Sequence, residues 1–340
     1  MKSIIHVTAL ICASAFAFGS QANDAQDFYK GKNVTVIAGY APGGGYDTTV
    51  RLLTRHMGKH IPGTPLLVPQ NMPGAGSISA ILYLYSAAPK DGSVAGIVSR
   101  AYAIEPLFAP DKARYDPKRF STIGSTSREV SVGAVWHTTP FNSLSDLQER
   151  QIVLGATSGV DDTGRFPMVL KELTGAKIKV VTGYPGGNNI LMAMETSEVE
   201  GRFGWSWGSV KSRSRQWLDE KKIWVIVQMA LEKASDLPDV PNIMDFARND
   251  LDRKAMELLF IPQAAAWPLI APPGVPQDRL NALRRAFEAT MRDKDFAADA
   301  ARLQVEVDPV TGEEMDRIVA RTAAFDQQVV DHAQKLTKLD

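Results

Sequence analysis

The stretch GYAPGGGYDTTVRLL, residues 39–53, follows the apolar run VTVIA at 34–38. It leads into a pattern that places Val50, Leu53 and Met57 on one helical face. Three consecutive glycines at a strand-to-helix turn remove side chains where the backbone is approached closely. A helix start also offers unpaired N–H groups and a partial positive charge. Together these features predict a strand–loop–helix unit that receives an anionic group at the helix N-terminus.

The same arrangement recurs. NMPGAGS at 71–77, GATSGVDD at 155–162 and GYPGGNN at 183–189 each follow a strand-like run and precede a helical one. The alternation predicts α/β layers with mainly parallel sheets, and ligands of such sheets collect at the carboxyl ends of the strands. Helices are expected at about 47–59, 77–87, 188–196, 277–292 and 313–335. The helix RFPMVLKEL stops at Gly175, a suitable residue just past a helix end. The proline-rich DLPDVPN at 236–242 reads as part of a crossover between lobes. Crossovers are expected near 121–126 and 230–265, so lobe 1 comprises 23–122 plus 263–340 and lobe 2 comprises 123–262.

The loops lack the chemistry of nucleotide sites. No loop carries GxxxxGK[ST], and after Gly43 and Gly45 the third position of GxGxxG is Thr48. A small carboxylate, satisfied by N–H groups and hydroxyls, remains. Arg100, after the strand-like VAGIV, is a candidate clamp because guanidinium matches a carboxylate bidentately. Asp47 and Asp162 sit where carboxylates cap the first turn of a helix.

The N-terminus carries Lys2, an apolar run from Ile4 to Phe18, and Ser20 and Ala22 at the −3 and −1 positions of a cut after Ala22. This predicts a cleavable secretory signal over 1–22 and a periplasmic location. The one cysteine, Cys12, falls inside it, so the mature chain is expected to rely on its core without disulfides. Removing Lys2 leaves 37 basic against 38 acidic side chains, which is no signature of nucleic-acid binding. The basic run KSRSR at 211–215 reads as a solvated helix face.

The ordered set PGGGYD, NMPGAGS, PKDG, GATSG, GYPGG with EVEGRFGWSW, DLPDVP and WPLIAPPGVP resembles the Bug-type periplasmic solute-binding receptors of tripartite tricarboxylate transporters, over about residues 28–320. The resemblance implies a two-lobed α/β "Venus flytrap" with its ligand cleft between the lobes, no catalysis, no cofactor, and a monomer that delivers a small carboxylate to membrane subunits. By position it implies ligand contacts from Gly43, Gly44, Gly45 and Asp47, from Gly76, Ser77 and Ser99, and from Thr157, Ser158, Gly159, Tyr184, Pro185 and Gly186. The sequence departs from the commoner pattern at Tyr46, Ser77 and Arg100. Tyr46, Tyr102 and Trp205 could wall the pocket and select an aromatic or bulky acid, or else pack within the lobes.

Other readings compete. GWSWG at 204–208 fits GxSxG, making Ser206 the nucleophile of an α/β-hydrolase-like esterase with His332 and Asp245 or Asp308 downstream. The HGGG-type oxyanion motif is absent upstream. His56 and His60 are spaced as a helical metal pair, but Gly58 and Pro62 predict a fraying helix end and surface histidines, and no metal site is expected. The same fold could also serve a periplasmic sensor docking on a membrane signalling partner.

Overall fold

Short apolar runs, most of them largely buried, form two sheets in the computed structural model, which describes residues 24–339. The expected signal segment lies outside these residues. The first sheet holds β1 (Asn33–Ala38), β2 (Leu66–Asn71), β3 (Val94–Ile97), β4 (Ser121–Ser125), β10 (Pro268–Ala271) and β11 (Val310–Thr311), in the order β11-β4-β10-β3-β1-β2. The second holds β5 (Ser131–Trp136), β6 (Ile152–Gly155), β7 (Ile178–Val181), β8 (Gly201–Ser206) and β9 (Ile223–Met229), in the order β7-β6-β8-β5-β9.

Both sheets are mixed, where the sequence predicted mainly parallel ones. β1 pairs in parallel with β2 and β3, and β6 with β7 and β8. β10 runs antiparallel to β3 and β4, and β5 antiparallel to β8 and β9. The cause is the connection between lobes. β4 leaves the first sheet at 125 and β5 begins the second at 131, while a 3₁₀ turn at Ile261–Ala265 leads back into β10. Parallel strands with helical crossovers all end on the cleft side. A strand that arrives from the other lobe begins there, so it runs the opposite way.

Helix α1 (Gly45–His56) buries Val50, Leu52 and Leu53, and α2 (Ile78–Ser86) buries Ala80, Ile81 and Leu84 against the first sheet. In the second lobe α3 (Asp162–Thr174) ends at Gly175, whose φ of +74° is the left-handed conformation foreseen there. α4 (Gly187–Glu195) and α5 (Trp207–Arg213) follow β7 and β8. Beyond them lie α6 (Asp250–Phe260) and, back in the first lobe, α7 (Gln277–Met291).

The single helix expected over 313–335 is two, α8 (Gly312–Thr322) and α9 (Gln327–Leu336). α8 packs on the first sheet through Met315 and Val319. α9 crosses to the second lobe and buries Val329, Val330, Ala333 and Leu336 in the cluster that contains Phe166 and Phe260. The sequence reading assigned this helix to lobe 1. Its apolar stripe is equally satisfied by either lobe, and periodicity does not say which.

α9 is also held by a polar contact. Asp252 on α6 accepts bonds from His332 Nε2 at 2.6 Å and from Arg248 Nε at 2.8 Å. The Arg248 hydrogen bond, with burial opposing it and His332 assisting, holds the Asp252 carboxyl down at about 2. A carboxyl with a depressed folded-state pKa adds stability that is present above its unfolded value and lost as pH falls through the folded one. Asp252→Asn should therefore cost about 2 kcal/mol at neutral pH. The gap between variant and parent in denaturant unfolding should close between about pH 4 and pH 2.

Candidate functional site: the cleft between the lobes

Tyr40 lies two residues beyond β1, Ser99 two beyond β3, Thr157 two beyond β6, and Ser206 ends β8. All four line one narrow cavity between the lobes. The carboxyl ends of four strands, two from each sheet, therefore meet there, and the expected glycine loops follow two of them, β1 and β6.

The first loop supplies the start of α1. Its N-cap is Gly44, and no side chain caps the first turn. The start of α4 is built alike, with Gly186 as N-cap and no side-chain cap. The third loop differs. Asp161, not Asp162, is the N-cap of α3 and accepts from Thr163 N–H at 3.1 Å. It also accepts from the hydroxyls of Thr157 and Thr163. Burial pushes its carboxyl up, opposed by those hydroxyls.

Arg100 is buried, and it bridges the lobes. Its Nε donates to Asp162 at 2.5 Å and its Nη2 to the Ser131 hydroxyl at 2.7 Å. The predicted clamp thus faces the cavity with its charge already answered by Asp162. Arg202 on β8 is the reverse case. Its guanidinium lies over the Trp205 ring at 5.1 Å and against Gly187 at the start of α4. Among the described residues it makes no hydrogen bond or ion pair, and its buried Nε has no partner. Burial pushes its pKa down to about 10, with Asp161 opposing, so it remains charged at neutral pH.

The expected contact residues divide into three groups. Gly44, Gly45, Tyr46, Ser99, Arg100 and Thr157 line the central cavity. Gly76, Ser158, Gly159, Tyr184 and Pro185 line an adjoining cleft that shares Tyr40 and Thr157 with it. Gly43, Asp47, Ser77 and Gly186 line neither. Asp47 instead accepts from Gly43 N–H at 2.8 Å, Arg51 Nε at 3.0 Å and Asn71 at 2.9 Å, so it braces the glycine loop. Partial burial opposes its charge, but the Arg51 and Gly43 bonds hold its carboxyl below the ordinary range. Ser77 accepts from Ser99 N–H at 3.1 Å and ties the two loops of the first lobe.

Tyr46 stacks on Tyr40 at 4.4 Å and meets Trp267 edge-on at 4.7 Å. Trp205 also lines the cavity. Tyr102 does not; it packs with Phe120 in the first lobe at 6.0 Å. Tyr40, Arg202 and Trp267 went unrecognised as site residues. For Arg202 the signal was present, a lone charge among the buried Phe203 and Trp205 of one strand.

The hydrolase constellation does not assemble. Ser206 caps α5 through Ser209 N–H at 3.0 Å, with φ −55° and no left-handed strain. His332 sits on α9 with Asp252, away from the cavity. His56 and His60 reach separate carboxylates, Asp299 at 3.1 Å and Asp293 at 2.8 Å.

No family model and no curated protein matches the chain. Solved structures do. A periplasmic transporter is 24% identical, with 91% of this chain and 99% of that one covered and a TM-score of 0.72. The periplasmic binding protein BugD is 18% identical over 91% and 98% of the two chains, with a TM-score of 0.73. MatC from Rhodopseudomonas palustris with bound malate is 19% identical over 91% and 99%, with a TM-score of 0.68. This likeness defines the architecture: the chain has the two-lobed fold of periplasmic binding proteins.

Removing one partner of a buried ion pair leaves the other uncompensated. Arg100→Ala should lower unfolding stability by about 3 kcal/mol. Arg100→Ala with Asp162→Ala should recover most of that loss. A double-mutant cycle on the ligand-free protein checks both values.

Proposed function

We propose that the chain is a Bug-type periplasmic solute-binding receptor. It captures a small carboxylate by closing its lobes and delivers it to the membrane subunits of a tripartite tricarboxylate transporter. The observation that carries this reading is the pairing of an unanswered guanidinium, Arg202, with two helix starts that have only glycine caps, Gly44 and Gly186. Such a cleft favours an anion by direct charge and by helix dipoles. The likeness in fold to a binding protein that holds malate supports the carboxylate class.

Binding rather than catalysis fits the side chains present. No histidine lines the cavity among the described residues, and Ser206 serves its own helix. No described helix is long and apolar enough to cross a membrane, which fits a receptor that meets its membrane partners by docking. Contacts from both lobes would favour the closed form over the open one, and closure would present a new surface to those partners.

Small carboxylates should raise the melting temperature, by about 2.7 kcal/mol of added stability at one hundred times Kd. Small-angle scattering should record a smaller radius of gyration with the ligand present. Stabilisation by neutral sugars but by no carboxylate would refute the ligand class, and tight binding without compaction would refute closure.

A further inference from the structure

The ligand class can be narrowed, given the receptor reading above, by counting which charges in the cavity are free. Arg100, Arg202 and Arg213 line it against Asp161 and Asp162. Arg100 and Asp162 answer each other. Asp161 is occupied by two threonine hydroxyls and the Thr163 N–H. Arg213 stands exposed at the rim and donates to the Thr48 hydroxyl. Inside, among the described residues, the guanidinium of Arg202 makes no hydrogen bond or ion pair, and its buried Nε is without a partner.

A buried charge is costly unless it is paired. One carboxylate would pair Arg202. A second would enter a cavity whose other cation without an acidic partner, Arg213, stands exposed at the rim, and whose inner wall carries two aspartates. An ammonium group would find neither aspartate available. The remaining wall is aromatic: Tyr40 and Tyr46 stack, Trp267 meets Tyr46 edge-on, and Trp205 carries the guanidinium on its face. Such a surface gains free energy from covering apolar rings.

We propose that the ligand is a monocarboxylate with an aromatic ring as its body, its carboxylate on Arg202 at the start of α4 and its ring against Tyr46 and Trp267. A tricarboxylate, a short dicarboxylate and a zwitterionic amino acid are all disfavoured by the same charge count.

Titration calorimetry on the mature chain with benzoate, benzamide, phenylalanine and malate tests this. Benzoate should bind at least tenfold more tightly than each of the other three. Benzamide matches benzoate in shape and lacks its charge, so equal binding of the two would overturn the Arg202 assignment. Phenylalanine or malate binding as tightly as benzoate would overturn the single-charge inference and leave the receptor reading standing. Failure of every carboxylate would overturn the receptor reading itself. Arg202→Gln should weaken benzoate at least tenfold; if that variant does not fold, the comparison of benzoate with benzamide on the parent protein decides the point.

Discussion

The ion pair between Arg100 and Asp162 is the contact on which the joining of the two lobes turns. It joins the loop after β3 to the start of α3, and so ties one lobe to the other across the cavity. Both groups are largely withdrawn from water, with side-chain exposures of 6% and 18%. Charges in that position cost several kcal/mol each to desolvate and are tolerated because they meet each other and the Ser131 hydroxyl. The consequence reaches beyond the pair. By absorbing each other's charge, the two residues leave the remaining charge of the cavity to Arg202 inside, Arg213 at the rim and Asp161 on the wall.

That division of labour follows from how each helix start is finished. α3 is closed by its own residue Asp161, which spends its acceptors on the first turn and on neighbouring hydroxyls. α1 and α4 begin at glycines with no side chain to offer. A helix start without a cap still has N–H groups to satisfy, and the unmatched donors are left to water or to a ligand. The cleft thus has one self-satisfied wall and two receptive ones, and Arg202 stands beside one of the latter.

Much of the fold was legible because strand, glycine loop and helix follow one another in short, regular units. The strands and most of their helices fall where the apolar runs and periodicities place them. Sheet direction was less legible, because β5 and β10 owe theirs to where the chain enters from the opposite lobe, a long-range property absent from local pattern. The site was legible as a set of loops and less so as a set of side chains. Asp47 carries the residue type of a cap or ligand contact, yet its partners are Arg51, Asn71 and Gly43, and only the folded loop reveals that they surround it. Tyr46 and Trp205 face the cavity while Tyr102 does not, although all three are aromatic residues near strand ends. Trp267 joins them from the bend just before β10, remote in sequence and adjacent only after the second crossover.

The glycine triplet itself has a physical reading different from simple room for an anion. Of its members only Gly44 would hold a Cβ in ordinary contact, 3.8 Å from the Ala41 carbonyl. Gly43 has φ +86°, and a Cβ there would stand 2.8 Å from the Asn188 side chain of the other lobe. A Cβ on Gly45 would stand 2.7 Å from Trp267 of its own lobe and 2.8 Å from Ser209 across the cleft. A Cβ on Gly76 would run into Ser158 of the other lobe, and one on Gly186 would lie 3.2 Å from Ala41, tight but above 3 Å. Contacts under 3 Å require something to shift, and at Gly43, Gly45 and Gly76 side chains of the other lobe stand in the way. In the proposed receptor, the missing side chains would let the lobes approach first and admit a ligand second. This accounts for glycines at positions that line no cavity at all.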